Sequence, residues 1–417
     1  MSEILLVEDA RFFRTVLKSQ IEGSFGYNVT AVETYGEAVK KLTSGEHQYD
    51  LALLDLNLPD APNGEIVDAV AGMSIPSIIF SGSFSEEIRD MLERPNIIDY
   101  VVKDSPASLN YVLNTVDRYF KNSHCKVLVV DDSRVARRHM VSLLRQFNFN
   151  VLSAENGQDA LKLFSEHRDI RLIITDYNMP DMQGVDVCKR IRAKKNRDEV
   201  CIIGVSAYGT HAISAQFLKA GASDFLVKPF LTEEFFCRIT LNMDALDKVH
   251  ELDELVHTDL ITQLKNRRFL EENYKKITKR AQELEQTVVC AFFELDDFKA
   301  FNDEYGSDAG DAILFMLARD FEKAFKQKGL ITRYGGSQFC LIGTTESAGD
   351  YIELVQKVHD ALTAKSFVFS EKELKTTFTT CLCTAKGENT DHIITQAKQG
   401  INDAKKQLRG CFFRADS

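Results

Sequence analysis

A pattern that occurs twice is the strongest constraint on what this chain can fold into. SEILLVEDARFFRTVLKSQ opens the first copy and CKVLVVDDSRVARRHMVSLL the second. Each reads as a buried strand ending in an acidic pair, followed by an amphipathic helix. YDLALLDLNLPDAPNG and IRLIITDYNMPDMQG come next, apolar strands that close on an aspartate before a proline-containing loop. IPSIIFSGS and CIIGVSAYG then end at serine, and IIDYVVKD and ASDFLVKPF end at lysine. Asp9 and Asp132, Asp55 and Asp176, Ser81 and Ser206, and Lys103 and Lys228 are offset by 121 to 125 residues. An internal duplication of an alternating β/α unit explains this spacing. Continuous apolar strands alternating with helices predict parallel sheets covered on both faces. Every residue of the pattern falls at the carboxyl end of a strand, where such sheets place their ligands.

That convergence carries chemistry. The acidic pairs Glu8 and Asp9, and Asp131 and Asp132, each beside a third carboxylate (Asp55 or Asp176), form hard-oxygen sites for Mg²⁺. The ion would neutralise charge while a carboxylate attacks a phosphoryl donor. Across each cleft, Lys103 with Ser81 and Lys228 with Ser206 would hold the transferred group's oxygens. Strand-end acids and hydroxyls often do no more than cap. Five such positions in the same order, three acids, a serine and a lysine, twice, are poorly explained that way.

The constellation resembles the receiver domain of bacterial response regulators, over about residues 1–245. The resemblance implies two tandem flavodoxin-like (βα)5 domains, residues 1–121 and 124–245. It also implies Asp55 and Asp176 as phosphoacceptors and Ser81 and Ser206 as switch hydroxyls. Tyr100 and Phe225 would be the rotating aromatics, and Asn57 and Asn178 would offer backbone carbonyls to Mg²⁺. A sensor histidine kinase or phosphotransfer protein is the implied partner. The copies differ: the first has Glu8 for an aspartate, one extra residue between Asp55 and Gly64, and Asp104 where the second has Pro229.

A net charge of −11 argues against a nucleic-acid binder, and no helix-turn-helix unit follows the second copy. Nine scattered cysteines without a CxxC pair argue against structural zinc and fit a reducing compartment. No apolar run reaches the roughly eighteen residues of a membrane span, so no membrane insertion and a cytoplasmic location are expected.

TEEFFCRITLNMDALDKVHELDELVHTDL carries Phe236, Ile239, Met243, Leu246, Val249, Leu252 and Val256 at steps of three and four. These predict one helix extending to about residue 258. Its first half would pack on its own sheet. Its second half would project and pair with a second chain, making a homodimer.

From Asp259 the plan changes to strands, a hairpin and helices packed on one sheet. DLITQLKNRR, ELDDFKAFND and GSDAGDAIL resemble the opening, strand-end and helix motifs of the GGDEF domain of diguanylate cyclases, over about residues 259–417. That family, a palm-like α/β fold, joins two GTP into cyclic di-GMP. The resemblance implies that Asn302 and Asp311 read guanine and that Lys299, Lys405 and Arg409 meet the triphosphate. Two divalent ions would be held by acids at the strand end and in the hairpin turn. Here the strand end carries Glu294, and the turn reads Gly335, Gly336, Ser337, Gln338, Phe339. A neutral hydroxyl and amide cannot replace carboxylates on a hard dication. KQKG stands where the family's product-inhibition motif would place an aspartate. The expectation is a degenerate domain that binds a partner, GTP or cyclic di-GMP. The alternative is a working or weak cyclase that holds metal through Glu294 and backbone.

Overall fold

The computed structural model describes residues 2–45, 47–82, 96–207, 211–370, 372–386, 390 and 392–415. Two compact units result, Met1–Val249 and His250–Ser417.

The first unit holds two five-stranded parallel sheets. One is β1 (Glu3–Val7), β2 (Asn28–Val32), β3 (Leu51–Leu54), β4 (Ser77–Ser81) and β5 (Ile97–Val102). The other is β6 (Lys126–Val130), β7 (Asn150–Ala154), β8 (Ile170–Asp176), β9 (Cys201–Ser206) and β10 (Asp224–Val227). Both run in the order second, first, third, fourth, fifth, the doubly wound order whose switch point lies beside the first strand. Strands buried on both faces need this apolar continuity: Leu51–Leu54 and Cys201–Ser206 are buried at every position. The repeat extends to the caps. Thr34 Oγ1 accepts from Glu37 N at 3.2 Å, and Asn156 Oδ1 accepts from Asp159 N at 2.8 Å, starting equivalent helices.

The two sheets do not fold as separate bodies. Helix Pro106–Asn122 of the first copy and helix Thr232–His257 of the second share one buried cluster that includes Val112, Val116, Phe147, Phe236 and Met243. Gln146 Nε2 donates to Ile97 O at 2.5 Å and Asn148 Nδ2 to Tyr119 O at 3.0 Å, crossing the same seam. Arg118, 5% exposed, donates through Nε to Asp244 Oδ1 at 2.9 Å and reaches Asp247 Oδ2 at 2.7 Å. Arg171 meets the other oxygen of Asp247 at 2.8 Å.

Thr232–His257 forms one helix over the stretch that the stripe predicts. Phe236, Ile239, Met243 and Leu246 are buried, whereas Leu252, Leu255 and Val256 are 62%, 57% and 42% exposed. The last turn is fixed within the second unit. His257 Nε2 lies 2.9 Å from Glu272, Asn266 Nδ2 donates to Val256 O at 2.7 Å, and Lys265 reaches Glu254 at 2.5 Å.

The second unit is a six-stranded sheet ordered β11 (Lys265–Asn266), β13 (Leu330–Gly335), β14 (Gln338–Thr345), β12 (Thr287–Leu295), β17 (Phe378–Ala385), β18 (Phe412–Ala415). A small hairpin, β15 (Phe367–Phe369) with β16 (Lys372–Leu374), stands apart from it. Alternation along β12 divides the core: Val289, Ala291, Phe293 and Leu295 join one buried cluster, Val288, Cys290 and Phe292 the other. Register then sets the site, because Glu294 stands opposite Gln338 on one side and Thr379 on the other.

The Arg118 brace can be tested directly. Replacing it with methionine removes the cation beside Asp244 and leaves Asp247 with Arg171 alone, and urea unfolding of the full chain should show the receiver transition weakened by about 2–4 kcal/mol. An unmoved midpoint would mean that the apolar seam alone holds the two sheets.

Candidate functional site

At the carboxyl edge of the first sheet, Lys103 at the end of β5 joins two acids. Its Nζ lies 2.7 Å from Glu8 Oε2 and 2.5 Å from Asp55 Oδ2. Ser81 Oγ donates to Asp55 Oδ1 at 3.1 Å, and Asn57 N donates to the same oxygen at 3.1 Å. The rings of Phe13 and Phe80 each sit 5.2 Å from the ammonium. Glu8 is 1% exposed, and burial pushes its carboxyl up to about 7, with Lys103 opposing. Asp9 is exposed, and its carboxylate with those of Glu8 and Asp55 can bring oxygens within 4.8 Å of one another. These residues fit a Mg²⁺ ion: three convergent carboxylates around a lysine that neutralises only part of their charge.

The second sheet repeats the arrangement. Lys228 Nζ lies 2.6 Å from Asp131 Oδ2 and 2.6 Å from Asp176 Oδ1. Asn178 N donates to Asp176 Oδ2 at 2.8 Å. Burial alone would lower the Lys228 ammonium, but its bonds to the two aspartates outweigh that and hold it above the usual lysine range. Asp131 is raised by burial, against the pull of Lys228. Asp132 is exposed, and among the described residues the three-carboxylate convergence occurs in the first copy only. Ser206 is buried at the end of β9, and Phe225 packs on Phe217 with ring centres 5.7 Å apart.

Two paired supports escaped the sequence reading. Arg14 donates from Nη1 to the carbonyls of Glu8 and Asp9, each at 2.8 Å, and its counterpart Arg137 donates to Asp131 O at 2.6 Å. Asp60 accepts from Tyr35 N at 2.8 Å and Gly36 N at 2.9 Å, while Asp181 accepts from Gly157 N at 3.0 Å and Gln158 N at 2.8 Å. Both recur at the duplication's offset, which was the available signal. In the first copy, Leu58 and Ala61 close a tight turn within this loop.

Tyr100 lies at the seam between the two copies. A cavity of about 270 Å³ there is lined by Asp99, Tyr100, Tyr111, Glu233, Phe236 and Cys237. Tyr111 Oη donates to Asp99 Oδ2 at 2.8 Å. Burial raises the Asp99 carboxyl from 3.8 to about 6; bonds from Tyr111 and Tyr100 N oppose this and the charge of Glu233 adds to it.

In the second unit the hairpin turn has the backbone the sequence predicts, with Gly335 at φ 138° and Gly336 at φ 55°. Arg333 bonds Gly336 O and lies over the ring of buried Phe339 at 4.9 Å. The carbonyl of Ser337 accepts from Leu295 N at 3.1 Å. The decisive contacts are at Glu294. Gln338 Nε2 donates to its Oε2 at 2.7 Å, and Lys405 Nζ donates to its Oε1 at 2.6 Å. Asp296 is committed elsewhere: Thr379 Oγ1 at 2.8 Å, Thr377 Oγ1 at 2.9 Å and Gly410 N at 2.9 Å. Arg409 pairs with Asp297. Lys405 and Arg409 thus rest on strand-end acids, while Lys299 and Asp311 are exposed on helices Phe298–Tyr305 and Ser307–Phe325. Asn302 Oδ1 is buried without a partner among the described residues, and a Cβ at Gly310 would come within 1.9 Å of it. A pair of dications does not fit here, because the one acid facing the turn already has both oxygens bonded and the turn adds no charge.

The family described as response regulator receiver domain matches residues 4–113 and 127–240. The family described as diguanylate cyclase, GGDEF domain, matches residues 256–411. The chain belongs to the response regulator receiver family, with two receiver domains followed by a GGDEF domain. The chemotaxis protein CheY homolog of Campylobacter jejuni subsp. jejuni serotype O:23/36 (strain 81-176) is 41% identical over 106 residues, covering 25% of this chain and 82% of that protein. The chemotaxis protein CheY1 of Helicobacter pylori (strain J99) is 40% identical over 106 residues, covering 25% of this chain and 86% of its own length. A crystal structure of a two-component system response regulator/GGDEF domain protein is similar at a TM-score of 0.54 and 36% identity, covering 59% of this chain and 100% of that one. Among the described residues, no helix is long and apolar enough to cross a membrane.

The seam carboxyl gives a pH prediction. A folded value of about 6 against 3.8 means that the Asp99 contribution is complete below pH 3.8 and is lost as pH rises through 6. Wild type should therefore lose stability relative to Asp99→Asn between pH 4 and 7, by on the order of 2 kcal/mol in urea unfolding. Parallel pH profiles for the two proteins would contradict the assignment.

Proposed function

We propose that this chain is a phosphorylation-controlled regulator whose GGDEF domain binds rather than synthesises. The observation that carries the reading is the closed bonding of Glu294 by Gln338 and Lys405 beside a turn without acids. Attack of a ribose hydroxyl on an α-phosphate needs charge stabilisation at nucleophile and leaving group together. Removing one catalytic group costs a factor of about 10² to 10⁴, and linked groups fail as a unit.

The receivers supply the input. Asp176 and Asp55 are the acceptors: a carboxylate oxygen attacks the phosphorus of a phosphohistidine donor, the P–N bond breaks, and the imidazole leaves. Mg²⁺ held by Glu8, Asp9, Asp55 and the Asn57 carbonyl, or by Asp131, Asp132, Asp176 and the Asn178 carbonyl, supplies charge neutralisation. Lys103 or Lys228, with Ser81 or Ser206, then meets the new phosphoryl oxygens. Tyr100 borders the seam cavity with Glu233 at the start of helix Thr232–His257, so a shift of Ser81 and Tyr100 bears on that helix. The exposed Leu252, Leu255 and Val256 offer a second copy of the chain an apolar face.

The domain's ligand is a guanine nucleotide, GTP or cyclic di-GMP. The buried, unpartnered Asn302 Oδ1 over Gly310 favours this, because an amide oxygen so placed can accept from guanine.

Two measurements test the reading. Purified protein given acetyl phosphate, Mg²⁺ and GTP should show cyclic di-GMP formation at least about 10²-fold below an intact GGDEF cyclase; product that Glu294→Ala abolishes would make the chain an enzyme. Intact-mass spectra should show phosphoryl adducts lost site by site in Asp55→Ala and Asp176→Ala. Adducts that persist in the double variant would place the acceptor elsewhere.

A further inference from the structure

The cyclase-like site has replaced its metal with residues of the chain. Lys405, on helix Ile393–Gln407, places its ammonium 2.6 Å from Glu294 and 3.5 Å from Asp296. Glu294 is the acid that faces the hairpin turn, opposite Gln338, and Asp296 follows just past the end of β12. The second oxygen of Glu294 is closed by the Gln338 amide at 2.7 Å. Gln338 reaches it because the two residues are register partners across β12 and β14. A dication needs about six oxygens and net negative charge around it. Here it would have to displace a lysine and an amide from one carboxylate, with Ser337 adding only a neutral hydroxyl.

We infer that the GGDEF domain binds guanine nucleotide without a divalent ion, with the Lys405 ammonium standing where metal charge would otherwise meet phosphate. The inference rests on the reading of this domain as a nucleotide-binding module. Three features support it together. The base end keeps a buried acceptor with nothing bonded to it, Asn302 Oδ1. Gly335 and Gly336 keep the positive φ that lets backbone approach a ligand. Cations remain at the phosphate end, where Lys405 is 21% and Arg409 59% exposed at the side chain. A triphosphate can draw both from their carboxylates, which remain nearby to return them on release. Binding in this form is reversible and leads to no chemistry, since nothing polarises the α-phosphate.

The test is calorimetric titration of the full chain with GTP, once in excess EDTA and once in millimolar Mg²⁺, for wild type and Gln338→Glu. Wild type should bind at least as tightly in EDTA as in Mg²⁺, because GTP complexed with Mg²⁺ in solution must shed the ion before its phosphates meet Lys405. Gln338→Glu sets a second carboxylate against Glu294, and its binding should become about tenfold or more stronger with Mg²⁺ than with EDTA. Wild-type binding that needs Mg²⁺ would overturn the inference and leave the nucleotide-binding reading standing. An absence of heat in both conditions would overturn both. Circular dichroism of Gln338→Glu checks that the variant folds.

Discussion

A lysine laid across two carboxylates at the end of a buried strand organises this molecule three times. Lys103 joins Glu8 to Asp55, Lys228 joins Asp131 to Asp176, and Lys405 joins Glu294 to Asp296. Collected acids in a low-dielectric setting repel, and an ammonium between them offsets part of that repulsion. What differs is the company the buried acid keeps. In the receivers an exposed aspartate, Asp9 or Asp132, stands next to the buried acid in sequence. In the third domain the Gln338 amide bonds the second oxygen of Glu294. The same electrostatic device thus recurs in three settings that differ in what stands beside the lysine.

The seam between the receivers gives this arrangement a mechanical consequence. Receiver domains are commonly pictured as independent switches, but here one apolar cluster and the Arg118–Asp244–Asp247–Arg171 network unite them. Tyr100 and Asp99 on β5 share a cavity with Glu233 and Cys237 of the second receiver's last helix. A packed seam has a few discrete arrangements rather than a continuum. Under the proposed function, this seam is the route by which phosphorylation of Asp55 would bear on helix Thr232–His257.

Much of this was legible in the sequence, for identifiable reasons. The duplication exposed the strand-end acids, serines and lysines because each is fixed by the end of a local apolar run. The glycine pair in the hairpin turn was legible because a tight turn with positive φ needs residues without side chains. The long helix was readable from its stripe, including the point where burial gives way to exposure. What sequence could not show were partnerships made across distance. Lys405 lies far along the chain from Glu294, and nothing local says that its ammonium rests on that carboxylate. Arg118 and Asp99 read as ordinary helix and strand residues until the second receiver packs on them. Arg14 with Arg137, and Asp60 with Asp181, recur at the offset of the repeat, and were missed only because attention rested on the strand ends.

Counting manganese by electron paramagnetic resonance, in the presence of GTP, tests the central claim most directly, because Mn²⁺ reports oxygen sites of the kind Mg²⁺ occupies. The account predicts ions bound only at the receivers, and bound manganese abolished when Asp55→Ala and Asp176→Ala are combined. Manganese that stays bound to that double variant, depends on GTP and is lost in Glu294→Ala would show that the third domain holds metal after all.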